Sequence, residues 1–173
     1  MSDDLRIEDA GPDDLRAIGD ILNQAVAETT AVWYDAPRSP EQMAAWYAER
    51  SAAGFPVLVA RDAAGAVLGY ASYGPFRPHD GFRGSVEHSI YVRPGQQGRG
   101  IGSRLLEALI ARGRDAGLHV MIGGLEAGNA ASLALHARHG FQETGRMPEV
   151  GAKFGRWLTL VFVQKFLDDR EAP

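Results

Sequence analysis

The segment Gln97–Gly102 constrains this chain more than any other feature, because it places three glycines at alternate positions directly before an amphipathic helix. Glycine carries no side chain, so the backbone N–H groups of such a loop can approach an anion closely. The positive end of the following helix adds to the attraction. We therefore predict a pyrophosphate site built from Gln97, Gly98, Arg99, Gly100, Ile101, Gly102 and Ser103.

Two common nucleotide-binding motifs do not fit this spacing. A P-loop requires Gly-Lys-Ser/Thr, whereas Gly100 is followed by Ile101 and Gly102. A dinucleotide-binding motif needs a third glycine where this chain has Ser103. The alternative without a ligand is a loop whose glycines only allow a sharp turn into the helix.

The hydrophobic pattern predicts the element order βααβββαβαββ, an α/β fold around a mixed sheet. Proline and aspartate open the first helix, and a capping box at Ser39 and Gln42 opens the second. Gly74–Gly84 is predicted to be a loop. The predicted strands are Leu5–Asp9, Phe55–Ala60, Val67–Tyr73, Ser85–Val92, Leu118–Ile122, Phe141–Met147 and Trp157–Phe166, and the helices begin near Pro12, Ser39, Ile101 and Asn129.

Length and composition limit the classes of protein. A chain of 173 residues is the size of one domain, predicted over residues 1–173 with a frayed tail at 168–173. A formal net charge of −4 argues against nucleic acid as the main partner. The acidic start Met1–Asp4 does not resemble a signal peptide, and no apolar run approaches the roughly 20 residues that span a bilayer. With no cysteine, we expect a cytoplasmic protein.

Several motifs in order resemble one family. The Gln-x-x-Gly-x-Gly pattern before a helix is similar to the acyl-CoA signature of the GCN5-related N-acetyltransferases (GNAT). The wider match resembles the branch that acetylates phosphinothricin and methionine sulfoximine or sulfone, and it covers almost the whole chain. The motifs that carry it are Val86–Val92, Gly117–Met121, Gly128–Ser132 and Gly155–Leu158.

The resemblance implies a fold and a co-substrate. The fold is a mixed, mostly antiparallel twisted sheet with helices on both faces, splayed open after Val92 and before Leu118. Acetyl-CoA would bind there, with its pantetheine arm on the backbone of Ile90, Tyr91 and Val92 and also on Asn129 and Ser132. Its diphosphate would lie on the glycine loop. No metal is expected, because the five histidines show no ligand spacing.

Acetyl transfer to an amine requires the ammonium to lose a proton. Glu87 lies mid-strand beside the proposed cleft, so we predict it to be the general base; the alternatives are a solvent-facing glutamate or an ion-pair partner. In the wider family a tyrosine at the position of His136 can protonate the departing thiolate. His136 is therefore a candidate general acid, and a packed helix histidine is the alternative.

The resemblance implies an amino-acid-like substrate whose carboxylate needs a cationic partner. Two loop arginines suit this role, and we favour Arg77 over Arg83; solvated arginines are the alternative. The substrate is predicted to contact Tyr73, Gly74, Phe76, Arg77, Arg83, Glu87, His88 and Ser89. Because His88 alternates with apolar residues, a core histidine is the better interpretation there. Lys153–Arg156 could reach a second subunit of a homodimer.

Two other functions remain open at this point. One is an acetyltransferase for protein N-termini or lysines, which needs an open groove rather than a closed pocket. The other is a non-catalytic acyl-CoA-binding module that uses the same glycine loop. Turnover that depends on Glu87 would separate an enzyme from a binding module.

Overall fold

The computed structural model describes residues 5–173, so the acidic stretch Met1–Asp4, expected not to be a signal peptide, lies outside the described residues. The predicted order βααβββαβαββ is confirmed. The strands are β1 (Arg6–Asp9), β2 (Val57–Arg61), β3 (Val67–Pro75), β4 (Ser85–Val92), β5 (Val120–Glu126), β6 (Gln142–Lys153) and β7 (Arg156–Phe166). The helices are α1 (Leu15–Glu28), α2 (Pro40–Ala52), α3 (Ile101–Asp115) and α4 (Ala130–Arg138).

The chain forms two compact units. The described part of the first comprises residues 5–73 and 89–109, and the second comprises Gly74–His88 and Ile110–Pro173. The strand order is β1-β2-β3-β4-β5-β7-β6. The first unit contains β1, β2, most of β3 and the end of β4, and the second contains the start of β4 together with β5, β7 and β6. Only β4 and β5 run parallel among the registered pairs. The predicted mixed, mostly antiparallel α/β class is confirmed; the single domain stays a prediction.

In the first unit, α1 and α2 supply one apolar side each to a common core. Residues of α1 at helical spacing are buried, and Met43 of α2 joins them. The predicted capping box forms: the Ser39 hydroxyl accepts from the Gln42 N–H at 3.2 Å, and the Gln42 side chain accepts from the Ser39 N–H at 2.9 Å. These caps satisfy N–H groups that have no acceptor within the helix. The core therefore fixes both helices beside β2 and β3.

The first turn of α3 approaches β3 closely at Gly69. A Cβ on Gly69 would lie 3.2 Å from Ile101 Cγ2 and 2.9 Å from the Tyr91 carbonyl oxygen. Neither contact leaves room for a side chain, and one of them is with backbone. The glycine thus sets where α3, and the loop before it, meet the sheet of the first unit.

In the second unit, β5 is the central strand, with β4 on one side and β7 on the other. The predicted strand Leu118–Ile122 was placed too early. The His119 and Val120 N–H groups both donate to the Gly84 carbonyl, and the regular strand begins only at Val120. It then continues through Gly123 and Gly124, two residues whose low strand propensity hid it from the sequence pattern.

Two further boundaries differ from prediction. Strand β3 extends to Pro75, so Gly74 lies in a strand and not in the predicted loop. Strand β6 reaches Lys153 instead of ending at Met147, because register shifts keep it paired with β7. Asp168, within the stretch predicted to fray, accepts a hydrogen bond from His119 Nδ1 at 2.6 Å, and the frayed tail remains a prediction.

No helix in the part of the chain that the structure describes is both long enough and apolar enough to cross a membrane.

Candidate active site

The glycine loop belongs to the first unit and is open. Gly98 and Gly100 have φ of 78° and 79°, a conformation that favours glycine. Nothing lies within 4 Å of the positions that their Cβ atoms would take. Helix α3 begins at Ile101, and its first intrahelical bond runs from the Arg104 N–H to the Gly100 carbonyl. The N–H groups of the first turn therefore have no acceptor within the helix.

The arginines near this loop differ in freedom. Arg99 donates from its guanidinium to the Gln96 side chain on the exposed surface. Gln97 also supports the loop, since its side-chain oxygen accepts from the Gly95 N–H at 2.8 Å. The Arg93 Nε donates to the Val67 carbonyl at 2.9 Å. Arg99 thus adds positive charge to the surface of the loop, whereas Arg93 is bound to β3.

The end of β4 in the first unit has two different edges. The Arg93 N–H donates to the Leu68 carbonyl at 2.8 Å and so points to β3. Because backbone groups alternate along a strand, those of Tyr91 also point to β3, while those of Ile90 and Val92 point to the other edge. Burial raises the pKa of the Tyr91 phenol to about 12, which keeps this side chain neutral. Of the predicted backbone contacts, Ile90 and Val92 have the suitable orientation.

In the second unit, the Glu87 side chain lies on the same face of the sheet as Ile122 and Gly124 of β5. Glu87 pairs in register with Ile122, and a Cβ on Gly124 would lie 3.0 Å from Glu87 Oε1. Leu160 and Phe162 surround the same point of β5. Burial raises the pKa of the Glu87 carboxyl above its ordinary value, and the positive charge of Arg77 opposes that rise. A raised pKa makes the ionised carboxylate a stronger base.

Gly124 is a functional candidate that sequence reasoning missed, although two adjacent glycines in a buried strand were a signal of close approach. Replacing Gly124 with alanine is expected to displace the Glu87 carboxylate. Since that group is the flexible end of a side chain, the free energy of unfolding should change by less than about 1 kcal/mol. Steady-state kinetics should show kcat lowered about 10-fold or more, the usual sensitivity to a misplaced catalytic group. An unchanged kcat would contradict the importance of this contact.

A cluster of aromatic rings with Arg77 lies before β4 in the same unit. Phe76 packs edge-on against Phe82 and Phe162, with ring centroids 5.7 and 6.2 Å away. The Arg77 guanidinium lies 4.2 Å over the Phe76 ring and donates to the Phe76 carbonyl. Arg83 instead donates to the Asp80 carbonyl at 3.2 Å. Arg77, which acts electrostatically on Glu87, is the arginine that this geometry favours.

Three residues were predicted to contact the substrate and make other contacts in the structure: Tyr73, Ser89 and His88. Tyr73 is buried, and its ring packs against Phe55 at 5.8 Å in the first unit, so it is a core residue there. Ser89 is exposed and hydrogen-bonds to Tyr91, its neighbour along β4. His88 is buried on the face of β4 opposite Glu87. Its burial agrees with the interpretation of His88 as a core histidine, and its contact with the substrate stays a prediction.

His136 of α4 is also buried, and it contacts His88. The two Nε2 atoms lie 2.8 Å apart, and His136 Nδ1 lies 2.7 Å from the Ser132 carbonyl oxygen. Both ring nitrogens are therefore engaged. Because His88 and Glu87 alternate along β4, His136 packs on the face opposite Glu87. This position does not fit a direct general acid, and the packed helix histidine is the alternative that the contacts favour.

Asn129 forms the predicted N-cap of α4. Its side-chain oxygen accepts from the Ser132 N–H at 3.1 Å. The side-chain amide of Asn129 keeps its donor capacity, since the cap uses only the oxygen. His139 is the C-cap of α4, and Gly140 follows it with φ of 81°. Within residues 5–173, no group of three or more His, Cys, Asp or Glu side chains is placed to hold a metal ion.

The two units thus contain separate parts of the predicted site. The first holds the glycine loop and the outer edge of β4, and the second holds Glu87, Arg77, the histidine pair and the N-terminus of α4. An open loop of bare amides before a helix can hold an anion, and a half-buried strand carboxylate can accept a proton.

The comparisons identify the family. The chain belongs to the acetyltransferase (GNAT) family, whose profile matches residues 20–141. It is 56% identical over 168 residues to the L-methionine sulfoximine/L-methionine sulfone acetyltransferase of Pseudomonas paraeruginosa (strain DSM 24068 / PA7), covering 96% of this chain and 98% of that protein. It is 40% identical over 158 residues to the phosphinothricin N-acetyltransferase of Alcaligenes faecalis, covering 90% of this chain and 79% of that one.

A solved relative shows the same fold with a ligand. The structure of yncA from Salmonella typhimurium, determined with its cofactor acetyl-CoA, superposes with a TM-score of 0.96 at 48% identity and covers 99% of this chain and 98% of that one. The fold class predicted from the sequence is therefore that of a GNAT enzyme.

Proposed function

We propose that this enzyme transfers the acetyl group of acetyl-CoA to the amine of a small amino-acid-like substrate of the methionine sulfoximine, methionine sulfone or phosphinothricin type. The observation that carries the proposal is the half-buried Glu87 carboxylate above Gly124, with Arg77 acting on it. The names of the relatives, one an acetyltransferase of methionine derivatives and one of phosphinothricin, support the substrate class.

The residues of the first unit suit the diphosphate and pantetheine of acetyl-CoA. The open Cβ positions of Gly98 and Gly100 leave the loop amides accessible to an anion. The outward backbone groups of Ile90 and Val92 are suited to strand-like pairing with an extended amide chain. Ser103 of this unit, together with Asn129 and Ser132 of the second unit, is also proposed to contact acetyl-CoA. Acetyl-CoA supplies the acetyl group as a thioester, and the protein residues hold and orient it.

Glu87 is proposed as the general base. The substrate ammonium would give up one proton to Glu87, directly or through water. The amine nitrogen would then form a bond to the thioester carbonyl carbon as the carbon–sulfur bond breaks, and the second proton of that nitrogen would pass to the departing thiolate, which leaves as the thiol of coenzyme A. An amine with a pKa of about 9 to 10 is mostly protonated at neutral pH, so this step needs a base. A raised carboxyl pKa strengthens Glu87 as a base while leaving it ionised at pH values above that pKa.

The general acid is left unassigned in this proposal. His136 was expected to protonate the thiolate, but both of its ring nitrogens contact other groups on the opposite face of β4.

Arg77 is proposed to bind the carboxylate of the substrate. We expect Arg77→Ala to raise KM for amino-acid substrates by about 10- to 100-fold, the scale of a lost charge-assisted hydrogen bond, with a smaller change in kcat. Arg83→Ala is the matched control on the same loop and should change KM little. The measurement is steady-state kinetics with a substrate and its decarboxylated amine. An equal effect on both compounds would exclude the role of carboxylate clamp.

We also propose that the enzyme is a homodimer. The β6–β7 hairpin exposes Trp157 by 70% and Phe154 by 56%, together with Met147 and Val150. Apolar side chains grouped in this way favour a protein interface. Light scattering should give twice the chain mass, 18.7 kDa, for the wild type. The Trp157→Ser variant should show a larger monomer fraction. A wild-type monomer at micromolar concentration would disprove the dimer.

The expected cytoplasmic location remains part of the proposal and is supported by the lack of cysteine. A panel of free amino acids, their sulfoximine and phosphinic analogues, and short peptides, assayed by thiol release, tests the substrate class. Turnover of peptides above that of all free amino acids would favour a protein acetyltransferase instead.

A further inference from the structure

The mechanism above does not use the buried pair His88 and His136. His88 Nδ1 lies 2.8 Å from the Ile122 carbonyl oxygen, and the two Nε2 atoms are 2.8 Å apart. His136 Nδ1 lies 2.7 Å from the Ser132 carbonyl oxygen. The Phe141 ring covers both imidazoles, with centroids at 5.4 and 5.2 Å. The pair therefore links β5, β4 and α4 by three short contacts.

The three contacts need one proton more than two neutral imidazoles carry. Carbonyl oxygens only accept, so both Nδ1 atoms must carry a proton to bond Ile122 and Ser132. A neutral imidazole carries one proton, which would leave two lone pairs facing each other across the Nε2–Nε2 contact. Two neutral rings thus always leave one of the three contacts without a proton. One added proton, shared between the Nε2 atoms, completes all three.

When both rings are neutral, one other hydrogen bond can partly replace the missing one. The Ser132 hydroxyl lies 3.5 Å from His136 Nδ1 and could donate to it if the His136 proton moved to Nε2. That distance is at the long limit for a hydrogen bond, and the Ser132 carbonyl would still face a lone pair. The contacts of the pair are therefore best satisfied when it holds the extra proton.

The pair is located where it can act on Glu87. Ile122, whose carbonyl His88 contacts, is the register partner of Glu87. The β4–β5 register ends at the next pair, His88 with Gly123. A Cβ on Gly123 would lie 3.0 Å from the His88 ring, so the imidazole packs directly on this last pair. The His88 ring therefore links β4 and β5 next to Gly124, the residue over which the Glu87 carboxylate lies.

From these contacts we infer that His88 is a positioning residue for Glu87, held by a buried two-imidazole site that binds one proton and no second. The part that concerns Glu87 rests on the proposed function, whereas the proton count does not. Neither histidine needs to contact a substrate for this role.

The charges around the pair are few. His139 lies on α4 and acts on His136, Lys165 of β7 has its Nζ 2.8 Å from the Cβ position of Gly140, and Glu87 is on the opposite face of β4. Phe141 and Val163 contribute apolar surface. Burial, with a further contribution from His136, lowers the pKa of His88 to about 3, and burial also lowers the pKa of His136. A second proton is thereby excluded, and the first is taken up only below the ordinary pH range of histidine.

The direct test is nitrogen NMR of the ¹⁵N-histidine-labelled enzyme between pH 8 and pH 3, since burial moves proton uptake by the pair below the ordinary pH range of histidine. We expect the His88 and His136 ring signals to change together, with one midpoint and one proton for the pair, while exposed His79 serves as an internal reference. In His136→Phe, which keeps the ring shape, His88 should stay neutral over this range. Separate midpoints, two protons, or no uptake by the wild type would overturn the shared-proton site.

Three substitutions at His88 test positioning. Phenylalanine keeps the ring without nitrogens, asparagine can place its amide near Nδ1 and donate to Ile122, and glutamine reaches only toward Nε2. We expect His88→Phe to lower kcat about 10-fold with KM for acetyl-CoA unchanged. Asparagine should recover most of kcat, and glutamine should not.

The outcomes separate this inference from the proposed function. Equal kcat in the phenylalanine and asparagine variants, or recovery by glutamine, would overturn the positioning role. If Glu87→Gln left kcat unchanged, the proposed general base would fail, and the NMR titration would still decide whether the pair shares a proton.

Discussion

Replacing Glu87 with glutamine is expected to lower kcat by about 10²- to 10⁴-fold while the affinity for acetyl-CoA is retained, the usual effect of losing a general base. Glutamine keeps the length and most of the shape of the side chain, so the contact with β5 at Gly124 should persist. What is lost is the capacity to accept a proton. The expected change in kcat therefore reports the chemistry of the carboxylate and not its packing.

The pH dependence gives a second measure of the same group. The carboxyl must be ionised to act, and burial raises its pKa. The wild-type kcat/KM should fall as pH decreases through that raised pKa, and this acid limb should disappear in Glu87→Gln. Glu143→Gln is a suitable control, since Glu143 is exposed and pairs with Arg146 at 2.9 Å. A loss of less than about 3-fold in kcat would mean that another group or bulk water takes the proton.

Filling the glycine loop should have the other large effect. The Gly100→Val and Gly100→Asn variants are expected to lose detectable acetyl-CoA binding by calorimetry, because a side chain would project into the place proposed for the diphosphate. Nothing in the protein lies within 4 Å of that Cβ position, so the side chain meets no other obstacle. Asparagine tolerates positive φ better than valine, which separates occupation of the site from backbone strain.

Gly65→Val controls for the strain itself. Gly65 has φ of 84° and an equally open Cβ position, but it lies in the turn between β2 and β3. This variant should lose a similar amount of stability in thermal unfolding and keep its affinity for acetyl-CoA. Unchanged affinity in Gly100→Asn would refute the glycine loop as the diphosphate site.

Local patterns predicted the elements well where one physical signal dominated. The capping box at Ser39 and the N-cap at Asn129 form as expected, because each depends on side chains a few residues from the backbone groups they satisfy. The boundaries of β5 were wrong because its start depends on the Gly84 carbonyl, which is distant in sequence. Glycines also weaken a strand signal that pairing on both sides restores.

The residues of the candidate site also differ in how far the sequence predicted them. Glu87 and the glycine loop could be chosen from the sequence, since a mid-strand carboxylate and bare loop amides carry their chemistry in residue type and spacing. The burial of Tyr73 was not expected, because the alternation of a strand tells which residues share a face but not what covers that face. The sequence likewise does not show that Arg93 is bound to Val67.

The sequence by itself determined the element order, the family and the location of the glycine loop before α3, all of which depend on residue type and local spacing. Only the tertiary structure decided that Gly124 leaves room for the Glu87 carboxylate and that His88 meets His136. Those contacts join residues 37 and 48 positions apart, and no local pattern encodes which distant side chain a fold brings within hydrogen-bonding distance.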